Sequence, residues 1–265
     1  MLILLPPSEG KTAATEGEPV DPGALWLPGL RTARKRVLTR LVAMSKRTSA
    51  RAVADSLATL GLSAGQGDEI TRNAGLLTAP TAPAASIYSG VLYEALDAHS
   101  LAPEARAWVD QQTVVFSGLW GVVRLDDRIP AYRLSVGVTL PSVGGLTAYW
   151  KKLLPKALDP VAAGGPVLDL RSGAYGAMWI PPGRDAATVR VLHERVVDGV
   201  AKRSVVSHFN KATKGRIVRA LAEAGAQPAS VDEIVAALRD LKYTVEEQPV
   251  AAGRPRQLDV VVAEL

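Results

Sequence analysis

Short apolar runs alternating with longer stretches of helical periodicity constrain this chain more than any other feature. Leu2–Leu5 and Thr113–Phe116 are apolar, β-branched or aromatic runs of strand length, and Val167–Leu170 is apolar but for Asp169. Runs of that kind read as strands buried in a sheet core. Between them, Leu30 to about Arg47 places Leu30, Ala33, Val37, Leu41 and Met44 on one helical face. A second helix is predicted over Arg51–Leu60, closed by Gly61, and a short one over Gln66–Leu76. Further helices are expected at Leu146–Leu158, where Pro155 should kink or end the pattern, at Lys211–Ala224 and at Val231–Leu241. Tyr132–Val136, Val138–Leu140, Thr188–Val197, Ser204–Ser207, Tyr243–Glu247 and Gln257–Val262 read as strands, and Glu9–Pro28 as a loop. The interleaving runs without a linker or a repeat. It predicts a mixed α/β (α+β) fold, one domain over residues 1–265, with a central mixed sheet flanked by helices.

Composition narrows the function classes. Of 265 residues 48% are hydrophobic and none is cysteine. Disulfides, thiolate nucleophiles and cysteine-ligated metals are therefore excluded. His99, His193 and His208 stand apart with no metal-ligand spacing, so neither a metal nor another cofactor is expected. The apolar start Met1–Leu5 stops at Pro6-Pro7 and lacks a basic leader, so no export signal is read. Asn73–Tyr93 is uncharged, yet Pro80 and Pro83 argue against a membrane span. A soluble, cytoplasmic protein with no membrane partner is expected.

The net charge of +5 conceals segregation. From Pro22 to Ala54 there are eight basic residues (Arg31, Arg34, Lys35, Arg36, Arg40, Lys46, Arg47 and Arg51) and no acidic one. Gly199–Ala222 adds Lys202, Arg203, Lys211, Lys214, Arg216 and Arg219, again without an acid. A directional positive field points to nucleic acid or a phosphorylated ligand, although charge runs are also found as plain solvated helix faces.

Several local patterns carry chemistry. Gly10-Lys11-Thr12 follows a strand, but Leu5 stands where a phosphate loop needs glycine, and no helix is read directly after Thr12. Lys11 is then a lone anion anchor, a nucleophile, or simply a solvated lysine. Asp126-Asp127, between Arg124 and Arg128, reads as a turn ion pair rather than a metal site. Ser207–Arg216 leaves a predicted strand and enters a helix, so Lys211 and Lys214 are expected to converge with helix N-terminal amides on one anion. Residues 51–76 read helix, glycine-containing turn, helix. That is the outline of a helix-hairpin-helix, with Gly61 and Gly65 allowing close backbone approach to a phosphate, and equally of an ordinary helical hairpin.

Together these blocks resemble the bacterial YaaA family of peroxide-stress proteins. The opening Met1-Leu2-Ile3-Leu4-Leu5-Pro6-Pro7-Ser8-Glu9-Gly10-Lys11-Thr12 is similar to the family's start, and Ser117–Arg124 to its central motif. Tyr132-Arg133-Leu134, Tyr149-Trp150 and Phe209–Gly215 fit later blocks. Departures are Trp120 in place of a more usual Tyr, Asp169 in place of Asn, Ala174 in place of Glu and Lys214 in place of Arg; Ser172 and Tyr175 are kept. The resemblance implies protection against hydrogen peroxide, limited iron-driven DNA damage, and DNA binding through a helix-hairpin-helix and a positive cleft.

On these grounds the expected partner is DNA, bound for structure rather than sequence. Arg34, Lys35, Arg36 and Arg40 are expected to give long-range attraction. Lys211, Lys214, Arg216, Arg219 and the Gly61/Gly65 turn are expected to give closer contacts. The competing expectation is an enzyme. Ser8, Lys11, Arg124, Tyr132, Arg133 and Lys211 would line a pocket for a small anionic ligand, a nucleotide, a nucleobase or abasic DNA, with Lys11 as base or nucleophile, assisted by Ser8.

Overall fold

The computed structural model describes every residue except 172, 183–184, 198–199, 250–253 and 264–265. Eight strands form the main sheet: β1 (Leu2–Leu5), β2 (Thr113–Ser117), β3 (Gly121–Arg124), β4 (Val167–Asp169), β5 (Ala186–Val197), β6 (Val200–Ser204), β7 (Thr244–Glu247) and β8 (Arg256–Val262). Their order is β7-β8-β5-β4-β1-β2-β3, with β6 paired to β5. β8, β5, β4, β1 and β2 run parallel, while β3, β6 and β7 pair antiparallel. The central strands need cover on both faces, and all four residues of β1 are buried. β5 is long enough for three partners: Ala186–Thr188 meet β4, Ala187–His193 meet β8, and the far end folds back as a hairpin with β6. The mixed sheet and its flanking helices agree with the sequence reading.

The helices are α1 (Arg31–Ser45), α2 (Ala50–Leu60), α3 (Gly67–Ala74), α4 (Ala84–Ile87), α5 (Val91–Leu96), α6 (Pro103–Gln112), α7 (Leu146–Ala162), α8 (Ser207–Glu223) and α9 (Val231–Asp240). α2 starts at a Ser49 cap, whose side chain accepts from the Ala52 N–H, and ends at Gly61 in the left-handed region, φ +66°. Gly215 lets α8 press against α5, because a Cβ there would run into the Leu92 carbonyl. None of these helices is long and apolar enough to cross a membrane among the described residues.

Three element expectations need correction. α7 runs through Pro155 and Pro160. The carbonyls these prolines cannot bond, on Lys151 and Lys156, belong to exposed residues. Leu146, Trp150, Leu154 and Leu158 keep the buried stripe continuous. Tyr132–Val136 is not a strand, because side chains take the bonds a ladder would use. Asn73 clasps the Arg133 backbone at 2.8 and 2.9 Å, Thr147 donates to the Val136 carbonyl, and the Val136 N–H reaches the Tyr175 hydroxyl. The segment also lies against Gly118, where a side chain would strike the Leu134 carbonyl. Ser204–Ser207 is not a strand of its own: β6 ends at Ser204 and α8 begins at Ser207.

Candidate active site and anion cleft

The loop Pro6–Lys11 leaves the carboxyl end of β1, which lies between β4 and β2. The chain crosses to β2 on one side of β1 and later returns to β4 on the other. This is the switch point at which open parallel sheets leave a crevice. A cleft of about 490 Å³ opens there, walled by Pro6–Gly10, Ser89–Tyr93, Leu170, Tyr175, Asn210, Lys211 and Lys214. The loop is pinned from several sides. Tyr93 donates to the Pro6 carbonyl at 2.7 Å, Ser8 donates to the Gly10 carbonyl at 2.6 Å, and the Ser89 N–H donates to Ser8 Oγ at 3.1 Å.

Lys11 sits at the inner end of this loop. Its Nζ donates to the Ser8 carbonyl at 2.7 Å and lies 4.3 Å from the centre of the Tyr132 ring. Burial first, and then the Arg133 charge, pull the amine down to about 7, with Glu69 and Glu9 opposing the shift. Beneath it runs a chain of hydroxyls, Ser117–Tyr132 at 2.6 Å and Tyr132–Tyr88 at 3.0 Å. Ser117 Oγ already accepts from the Leu119 and Trp120 N–H groups, so its own proton goes to Tyr132, and that of Tyr132 to Tyr88. Burial raises Tyr88 and Tyr132 in this hydroxyl chain and Tyr93 and Tyr175 on the cleft wall, so all four stay neutral. Arg133 pairs with Glu9 at 2.5 Å above Lys11.

Lys211 is exposed at the cleft wall. Lys214 is 4% exposed, and its amine is spent on the Leu170 carbonyl at 2.9 Å. Burial lowers it to about 8, against the pull of Asp169. It is therefore a strut between α8 and the end of β4 rather than a free contact. α8 also starts a turn earlier than expected, so Lys211 and Lys214 are its fifth and eighth residues and do not crowd its N-terminus. The amide Oδ1 of Asn210, on the cleft wall, has no partner. Asp169, where the family resemblance leads one to expect Asn, chelates Arg171 at 2.6 and 2.9 Å, and Arg171 lies 3.9 Å over the Phe116 ring. Ser172 lies outside the described residues.

Other expected site residues fall elsewhere. Arg34 is 0% exposed: its guanidinium donates to the carbonyls of Trp26, Trp120 and Val122 at 2.6–3.0 Å, so it cannot touch DNA. Tyr132 is buried in the hydroxyl chain and lines no cleft. Arg124 lies 4.9 Å over Trp26, away from the cleft. Arg219 is tied to Leu96, Asp97, Ser100 and Glu223. Asp127 forms no ion pair with Arg124 or Arg128; it accepts the backbone N–H groups of Trp26 and Arg124 at 2.8 Å. Lys35, Arg36, Arg40 and Arg216 are exposed. In the α2–α3 turn the N–H groups of Gly61, Leu62 and Ser63 are bonded internally, and α3 opens on Asp68 and Glu69. Among the described residues no three His, Asp or Glu side chains come close enough to hold a metal ion. Sequence reading missed Asn73, Tyr88, Tyr93 and Asn210, whose roles arise only from contacts distant along the chain.

A family model described as peroxide stress protein YaaA matches residues 1–249. A UPF0246 protein of Streptomyces coelicolor is 51% identical over the full length of both chains. A UPF0246 protein of Corynebacterium efficiens is 40% identical over 99% of this chain and 100% of its own. One from Corynebacterium glutamicum is 39% identical over 94% of this chain and 96% of its own.

Proposed function

The chain belongs to the YaaA family of peroxide stress proteins, and from that premise we propose that it acts in the cytoplasm by binding DNA through its phosphates. One observation carries the reading. Arg31, Lys35, Arg36, Arg40, Lys46, Arg47 and Arg51 are all exposed on α1, α2 and their connection, and among the described residues none of them is ion-paired. A run of exposed cations without acidic partners gains affinity by releasing the counterions condensed on a polyanion. The second basic window contributes less. Arg203 is paired with Glu194 and Glu246, Lys214 is buried and Arg219 is tied down, leaving Lys202, Lys211 and Arg216 for contacts.

Protection against peroxide follows from the same exchange. Iron(II) held near DNA is one of its counterions, and peroxide reacting there makes oxidants beside the sugar. Cations of the protein that displace it move that chemistry away from the backbone. No helix carries a base-reading pattern, so preference is for DNA shape. The α2–α3 turn is the weaker arm, because its bonded amides and Asp68 and Glu69 leave little to offer a phosphate.

The test is fluorescence anisotropy with duplex, single-stranded and branched DNA at several salt concentrations. The variants are the triple Lys35→Ala/Arg36→Ala/Arg40→Ala and the single Lys211→Ala. The triple variant should flatten the slope of log K against log salt by up to about 2.7, at roughly 0.9 for each duplex phosphate no longer neutralised. Iron(II) and peroxide nicking of plasmid DNA should be slowed by the wild type and not by the triple variant. No binding by the wild type at about 50 mM salt would overturn the reading.

A further inference from the structure

Lys11 is an amine held without a counter-ion. Its contacts are the Ser8 carbonyl at 2.7 Å, the Glu9 carbonyl at 3.4 Å and the ring faces of Tyr132 and Tyr88 at 4.3 and 5.4 Å, none of them anionic. The Glu9 carboxylate is given to Arg133 and that of Glu69 to Arg72. The charges of Glu69 and Glu9 act to raise it and those of Arg133 and Arg72 to lower it, and the neighbouring tyrosines are neutral.

A narrow crevice of about 10 Å³ meets this amine, lined by Pro7, Ser8, Glu9, Arg133, Ser135 and Tyr175. That is room for about one water. Pro7, Ser8, Glu9 and Tyr175 are also walls of the larger cleft. Glu9 belongs to the walls of both, and its side chain is 77% exposed while that of Arg133 is 18% exposed. An ion pair with one end in water holds weakly, so a better anion displaces it readily. Arg133 itself is fixed, since Asn73 clasps its backbone.

We propose that Lys11 is a carbonyl-condensing amine. Its substrate is a carbonyl compound with an adjacent anionic group, and that anion takes the place of Glu9 on Arg133. The neutral Nζ adds to the carbonyl carbon, forming a C–N bond while the C=O electron pair moves to oxygen, which takes a proton from solvent. One nitrogen proton then passes to that oxygen, the C–O bond breaks and water leaves, and the nitrogen lone pair closes the C=N bond of the protonated imine. Two sources share this chemistry: a free 2-oxo acid, and the aldehyde of an abasic site beside its phosphate. The site does not depend on the cationic surface of α1 and α2.

The experiment is reductive trapping on the full chain at pH 7. Glyoxylate with cyanoborohydride is one arm, an abasic oligonucleotide with borohydride the second, and uncharged acetaldehyde the control. Peptide mapping reads the modified lysine. With the amine at about 7, half of Lys11 is neutral at that pH, against roughly one in a few thousand for an ordinary lysine. Labelling of Lys11 on the order of a hundredfold faster than of surface lysines is expected. Label at Lys11 from glyoxylate alone supports the free oxo acid, and from the oligonucleotide the DNA aldehyde. Glu9→Gln should raise the ratio of glyoxylate to acetaldehyde labelling at Lys11; an unchanged ratio removes the anion exchange. Lys11 labelled no faster than surface lysines in both arms overturns the proposal, whatever the outcome of the DNA-binding titration.

Discussion

Replacing Arg34 by alanine should cost the fold far more than it costs any surface function. The guanidinium donates to the carbonyls of Trp26, Val122 and Trp120 at 2.6, 2.8 and 3.0 Å, with longer contacts to Leu25 and Leu27. One side chain of α1 thereby ties the loop before it to the turn and strand of β3. Burial draws this guanidinium down to about 10, opposed by Asp127, so it stays charged at neutral pH. Alanine leaves three buried carbonyls without a donor, at about 1–3 kcal/mol each. Water entering the hole and relief from burying a charge return part of that. The net loss should be about 3–5 kcal/mol, out of a total that is typically about 5–15. Arg34→Lys keeps the charge without the planar fork and should lose roughly half as much. Urea unfolding followed by tryptophan fluorescence measures it, with an unchanged slope showing that only stability moved. A loss below about 1 kcal/mol would refute the accounting. So would DNA binding that falls in folded Arg34→Ala as far as in Lys35→Ala.

Further outcomes follow from other contacts. Lys11 and Lys214, lowered to about 7 and about 8, release protons in the fold before they do in the unfolded chain. The unfolded state then binds more protons, so stability should rise with pH from about 7 to about 10. Above that, Tyr88, Tyr93 and Tyr132 are held neutral in the fold while unfolded tyrosines ionise, so the curve should turn down; denaturation midpoints across pH 6–11 check both limbs. Gly215→Ala should cost about 2–4 kcal/mol, read by thermal melting, because its Cβ meets backbone of α5 rather than a side chain that can move. Tyr132→Phe breaks the hydroxyl chain and should lose about 1–3 kcal/mol in the same urea assay. Lys211→Ala should leave stability within about 0.5 kcal/mol and reduce the salt slope of DNA binding by roughly 1.

Regular elements were legible where one local pattern decided them. β1, β2, α2 and α9 announce themselves by apolar runs, helical periodicity or the closing Gly61. Tyr132–Val136 has strand composition, yet its bonds go to Asn73, Thr147 and Tyr175, which are distant in sequence. Pro155 breaks a local rule that the solvent-facing side of α7 tolerates. At the site, Ser8, Lys11, Arg133 and Lys211 were legible as residue types and motifs. Charge alone could not tell Arg34 from Lys35, since adjacent helix positions point about 100° apart and one turns inward. Asn210 stood unremarked in the Phe209–Gly215 block, because an amide is noticed only when the partner it lacks becomes visible.

The position of β1 has a consequence for how the chain is made. The first strand synthesised pairs Ile3 with Thr113 on one side and Leu2 with Val167 on the other. At about 5–20 residues per second, a ribosome takes on the order of ten seconds to deliver the first of these neighbours, and several more for the second. Until then Leu2–Leu5 is a sticky apolar tip with no sheet to join. Contacts so distant along the chain close slowly after synthesis as well. Nascent chains should therefore lean on chaperones until Val167 has been made.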